Sequence, residues 1–158
     1  MMLSKKHSGT WKKNILQRGN ITRNLGLDIG DRRIGVALGD PGGIIASPLT
    51  IINRTDEQQD IAAIIAIITQ NDVGKIIAGL PVSMNGSIGH QAEKVKTFVK
   101  SLSARTQVPI EFRDESLTTV SARQLMQVTR KKKRREKTRD DAIAAAFILQ
   151  GYLDEGQT

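Results

Sequence analysis

Five carboxylates stand where an acid needs a physical reason. Asp28 lies inside the apolar run LGLDIG, Asp114 and Glu115 end the run PIEFRDE, and Asp140 and Asp141 head the run DDAIAAAFILQGYL. A carboxylate among apolar strand residues is costly unless it has a partner or a metal. Gly26 and Gly30 leave room for another group to come close to Asp28; the competing explanation is a strand-end Asp bonded to turn amides. Strand alternation puts Ile110, Phe112 and Asp114 on one side and Glu111, Arg113 and Glu115 on the other, so one of the two terminal acids faces a site directly. Asp114 or Ser116 can instead cap a following helix. Acids are also favoured at helix N-termini by the helix dipole, which accounts for one of Asp140 and Asp141. Asp141 precedes Ala144 and Ala145 by about one turn and Ile148 by about two, on the side expected to face a sheet. Oxygen donors from distant positions suit a hard divalent ion such as Mg²⁺ or Mn²⁺. Two such ions can align a water with a phosphodiester and stabilise the leaving oxygen. There is no Cys, and the two histidines are poor candidates: His7 lies in a basic arm, and His90 falls in a loop or first helical turn.

The elements that must hold these acids follow from patterning. LGLDIG and IGVALGD read as two strands joined by the tight turn DRR. After the turn signal DPGG, GIIASPLTII reads as a third strand, which Pro48 confines to an edge. Ile61, Ile64, Ile65 and Ile68 fall on one helical face, preceded by Asp56, Glu57 and Asp60 at the positive end of the dipole. KIIAGLP is a short buried strand. GLPVSMNGSIG follows as a Gly-rich loop whose amides could hold a phosphate at a helix start. A second helix gathers Ala92, Val95, Phe98, Val99 and Leu102. PIEFRDE is the fifth strand, Ser116 caps a helix buried through Leu117, Val120, Leu125 and Val128, and DDAIAAAFILQGYL is a last helix ending near Gly151 or a turn later. Strands joined by tight turns pair antiparallel, and strands joined through helices pair parallel. The expected architecture is α/β: a mixed five-stranded sheet, three antiparallel strands and then parallel ones, flanked by helices on both faces.

Charge is distributed unevenly. Residues 1–23 hold six Lys/Arg and no Asp/Glu, and residues 130–139 hold eight Lys/Arg and one Glu; with a net charge of +8, the rest of the chain carries −5. An acidic body with two basic appendages favours a polyanion partner through counterion release. The nucleic-acid contacts expected from the second segment are Arg130, Lys131, Lys132, Lys133, Arg134, Arg135, Lys137 and Arg139, in a loop over 128–139 that leads to Asp141. Residues 1–23 read as a flexible arm and 24–155 as one domain, which suits 158 residues. No stretch is apolar enough for a signal peptide or a membrane span. With no Cys, the chain fits the cytoplasm.

Four stretches in order, LGLDIGDRRIGVALGDPGGIIASPLT, IIAGLPVSMNGSIG, FRDESLTT and DDAIAAAFILQGYL, together resemble the YqgF/RuvX family of Holliday-junction-resolvase-like proteins, also described as pre-16S rRNA nucleases. The resemblance covers most of residues 24–153. It implies an RNase H-like fold, a divalent-metal site with catalytic carboxylates at Asp28, Glu115 and Asp141, and a nuclease acting on pre-rRNA in ribosome biogenesis or on branched DNA. Two positions depart from the family pattern. Ser116 stands where Arg is usual, removing a potential phosphate contact, and Asp31 stands where Thr is common. Two rival classes are weighed. The first hairpin is similar to the phosphate-binding hairpin of actin-like ATPases, but the chain is too short for the second domain those need. A non-catalytic nucleic-acid-binding factor would not need to keep all three carboxylates. Oligomeric state is not legible.

Overall fold

The computed structural model describes residues 22–81, 89–115 and 137–156. Its elements are β1 (Arg23–Ile29), β2 (Arg33–Gly39), β3 (Ala46–Asn53), α1 (Glu57–Gln70), β4 (Val73–Leu80), α2 (His90–Ser103), β5 (Ile110–Asp114) and α3 (Lys137–Gly156). The five strands form one sheet in the order β3-β2-β1-β4-β5. The β1–β2 and β2–β3 pairs are antiparallel, and β1–β4 and β4–β5 are parallel. That is the mixed sheet expected from turn signals and crossover lengths.

β1 is central and covered on both faces. Its odd positions Leu25, Leu27 and Ile29 join Ile34, Val36, Ile61, Ile64, Ile76, Val95 and Phe98 in the core beneath α1 and α2. On the opposite face Ala37 and Ile77 pack against Ala145, Ile148, Leu149 and Leu153 of α3. Each large side chain removed from water in this way contributes about 1.5–3 kcal/mol. α3 comes very close to β1. A Cβ built on Gly26 would lie 2.7 Å from the Ala145 carbonyl oxygen and 2.8 Å from Leu149 Cβ, so only glycine admits the helix at this crossing.

α1 starts where expected. Asp56 is its N-cap and accepts from the Gln59 amide at 2.9 Å, which satisfies one of the orphan donors of the first turn. Its buried stripe includes Ile61, Ile64 and Ile68, with Ile65 half-buried. In α2, Ala92, Val95, Phe98, Val99 and Leu102 are all buried. Pro48 lies on the edge strand, paired with Ala37 where the register shifts, so its missing N–H interrupts no interior ladder.

Two boundaries differ from expectation. β3 begins at Ala46 rather than at Gly43, because the Asp40 carboxylate takes the amides of Ile44 and Ile45 at 2.7 and 2.8 Å. α3 continues past Gly151 to Gly156, within the expected turn beyond it; Gly151 lies flat against Arg113, and a Cβ there would lie 2.8 Å from the guanidinium. α3 starts at Lys137, so residues 137–139, expected in a loop, form its first turn with Asp140. The remainder of the expected basic loop, the helix after Ser116, the loop after Pro81 and the basic arm with His7 lie outside the described residues, as do the side chains of residues 137–141.

Candidate active site

Asp28 sits near the carboxyl end of β1, half-buried, on the face that α3 covers, since its neighbours Leu27 and Ile29 point into the opposite core. Its partner on β2 is Gly35. On the other flank β4 has Gly79, one residue past the Leu27–Ala78 pairing. Asp28 therefore stands between two positions that have no side chain.

Glu115 follows directly after β5, beyond β4 from β1. It is half-buried, and its side chain is hydrogen-bonded to Asp28. A Cβ placed on Gly79 would lie 2.6 Å from Glu115 Oε1 and 3.1 Å from its Cγ, so the glycine of the intervening strand leaves the space through which Glu115 reaches Asp28. Burial pushes the Glu115 carboxyl above its ordinary pKa. The hydrogen bond to Asp28 pulls it down, and the nearby Asp114 charge adds to the upward shift. The other β5 residues on this face bind elsewhere: Arg113 Nη1 meets Glu155 Oε1 at 2.8 Å and Lys75 Nζ lies 3.6 Å from Glu111 Oε2. This matches the alternation read from PIEFRDE.

α3 runs against the direction of β1. Ala145 meets Gly26, whereas Leu153 Cδ1 lies 3.7 Å from a Cβ built on Gly39, near Asn24 at the start of β1. Tracing α3 back from Ala145 moves towards the Asp28 end of β1. Asp141 lies on that part of the helix, one turn of about 5.4 Å before Ala145. Thus Asp28 and Glu115 are brought together, and Asp141 is placed at the level of its backbone. Among the described residues no group of three or more His, Cys, Asp or Glu is arranged to hold a metal ion; a third donor would have to come from a residue whose side chain is outside that set.

The remaining candidates are peripheral. His90 is the exposed first residue of α2. Asp31 is exposed in the β1–β2 turn, with Lys94 Nζ at 3.4 Å; such a pair contributes little. Two residues near the site were not singled out by sequence, Arg54 and Asp60. Asp60 was read as one of the acids favoured by the α1 dipole, yet it is 2% exposed. Its position one turn before Ile64, on the apolar stripe, was the available signal.

The strand order and the mixed pairing define an RNase H-like fold, with an acidic pair at the carboxyl ends of β1 and β5. The chain belongs to the RuvX family: the model described as "RuvX: Holliday junction resolvase" matches residues 22–155. A relative from Moorella thermoacetica named "Putative pre-16S rRNA nuclease" is 44% identical over 132 residues, 84% of this chain and 94% of its own length. A relative of the same name from Clostridium acetobutylicum is 42% identical over 84% of this chain and 98% of its own. Among solved structures, T. thermophilus RuvC in complex with a Holliday junction substrate aligns with a TM-score of 0.59 at 12% identity, covering 87% of this chain and 98% of RuvC. The fowlpox virus resolvase bound to junction DNA aligns at 0.55 and 11%, over 87% of this chain and 100% of that one. At such identities the structural likeness concerns the fold. Among the described residues no helix is long and apolar enough to cross a membrane.

Proposed function

We propose that the protein is a divalent-metal-dependent endonuclease that hydrolyses phosphodiester bonds, with Asp28, Glu115 and Asp141 as its metal-holding carboxylates and Mg²⁺ or Mn²⁺, as two ions, as cofactor. The approach of Glu115 to Asp28 across the bare Gly79 carries this reading. Two ionised carboxyls held this close repel each other, and a hard cation between them would cancel that repulsion. The donor set is all oxygen, as such a cation prefers. When bound, the ions would supply Lewis acidity and an activated water. The chain itself supplies rigidity: Asp28 is fixed on the central strand, Glu115 is held over Gly79, and the basic residues from Arg130 to Arg139 draw the phosphate backbone towards the acids.

The substrate we propose is the precursor of 16S rRNA, cut near its mature 5′ end in the cytoplasm. Support comes from relatives of that name at 42–44% identity along nearly their whole length. The family description favours a second reading, a branched DNA junction. Purified full-length protein with Mg²⁺ or Mn²⁺, offered precursor rRNA and a four-way DNA junction in parallel, separates the two. The expected result is metal-dependent cleavage of the RNA that Asp28→Asn reduces to background. Preferential cutting of the junction moves the substrate to DNA. Metal-dependent binding without cleavage of either substrate makes the protein a non-catalytic binding factor.

A further inference from the structure

Arg54 follows β3 and reaches across the sheet's end to the turn beside Asp28. Its backbone N–H donates to the Arg32 carbonyl at 2.9 Å, and its Nη1 donates to the Gly30 carbonyl at 2.9 Å. Nε donates to Asp60 Oδ2 at 3.1 Å, and the guanidinium lies 5.0 Å from the Phe98 ring centroid. Asp60, buried in the first turn of α1, also accepts the Thr55 amide at 3.0 Å. Gly30, two residues after Asp28, thereby has both backbone groups engaged: its N–H donates to the Arg33 carbonyl at 2.9 Å, and its carbonyl accepts from Arg54.

The ladder alone does not call for this arrangement. β3 already pairs with β2 up to the Arg33–Asn53 step, and the Arg54 backbone bond extends that pairing into the turn. An ion pair whose carboxylate is buried and whose guanidinium is only partly so is a poor way to gain stability, because desolvation offsets much of the attraction. Its particular product here is orientation. Asp60 fixes one edge of a planar fork, Phe98 fixes the plane, and another edge of the fork is left aimed at Gly30.

We infer that Arg54 and Asp60 form a positioning clamp that holds the Gly30 carbonyl, and through it the Asp28 carboxylate, in the geometry that metal binding requires. This rests on the proposed role of Asp28, and it assigns to the site two residues that touch neither substrate nor ion. Outer partners of this kind typically change metal affinity about 10–100-fold when replaced.

The test uses the full chain and three variants: Arg54→Met, Asp60→Asn and Arg54→Lys. Lysine keeps a charge for Asp60 but lacks the planar fork, so Arg54→Lys is the variant most compatible with an intact fold. Mn²⁺ affinity is measured by calorimetric titration, far below each variant's melting temperature, alongside amide exchange at Gly30. We expect Mn²⁺ affinity to fall about 10–100-fold in every folded variant, with faster exchange at Gly30 and unchanged protection of Leu25 and Ile76. A lower melting temperature with Mn²⁺ affinity and Gly30 exchange as in the parent protein would overturn the clamp and leave a purely structural pair. A parent protein that takes up no Mn²⁺ sinks the metal site and the clamp's purpose together. That result is distinct from a parent that binds and variants that bind equally well.

Discussion

Glu115 meets Asp28 because the strand between them presents no side chain at the crossing, and that dependence can be probed with a single methyl group. In Gly79→Ala the new Cβ would be 2.6 Å from Glu115 Oε1 and would also collide with Ile148 Cδ1. Overpacking of this kind costs about 1–3 kcal/mol, a loss a folded domain can absorb. The expected outcome is a folded protein whose Glu115 is displaced, with Mn²⁺ affinity lowered about 10–100-fold, as for Glu115→Gln. Calorimetric titration beside a thermal melt reads both quantities; parent-like affinity would remove Glu115 from the ligand set. At this scale the sequence was partly legible. Asp28 stood out as an acid in an apolar run, and strand alternation separated Glu115 from Asp114. Gly79 did not stand out, because a glycine inside a strand looks the same whether it marks a bulge, a bend or a gap for a neighbour's side chain. Asp60 does lie in the first turn at the positive end of the dipole, as read, and because the dipole already explains an acid there, only its burial shows that it does more.

Elements begin and end where backbone donors find partners, and the β2–β3 connection shows this most plainly. The Asp40 carboxylate accepts from the Ile44 and Ile45 amides, and these hydrogen bonds, Ile45 first, hold its pKa below the ordinary value. A carboxyl whose folded pKa is depressed contributes stability that is present above its unfolded pKa and lost as pH falls through the folded one. Acidification through that window should therefore loosen residues 40–45 while the sheet persists. Exchange at the Ile44 and Ile45 amides should accelerate there, and in Asp40→Ala it should be fast and insensitive to pH beyond the intrinsic rate change. Protection that stays level through the titration would show that the backbone bonds of the turn suffice. The same side chain explains why β3 was read three residues too early: the apolar GII pattern gives no sign that the carboxylate opening the preceding turn has taken its amides. The start of α3 was misjudged on composition alone, because its basic first turn looked like loop. The sheet itself was legible, because turn residues and crossover lengths leave few alternatives for strand direction.

On the scale of the whole molecule, the net charge of +8 conceals an acidic remainder of −5 and two basic segments. If the second segment holds the substrate backbone, neutralising Lys131, Lys132, Lys133, Arg134 and Arg135 should weaken binding across sequences. It should also flatten the plot of log affinity against log salt by about 0.7–0.9 for each phosphate no longer neutralised. An unchanged slope with an intact fold would transfer the role to residues 1–23. The placement of α3 has a consequence of another kind. Among the described residues, α3 alone covers the face of the sheet formed by Ala37 and Ile77, and it contains Asp141. Chains emerge from the ribosome N-terminus first, so β1 and its Asp28 are made before α3. Until that helix emerges, the described element that covers the Ala37–Ile77 face is missing and the carboxylate proposed at Asp141 does not yet exist. If Asp141 is the third ligand, the proposed metal site stays incomplete until α3 has been made, and a chain still lacking that helix would bind nucleic acid through its basic arm without being able to cut it.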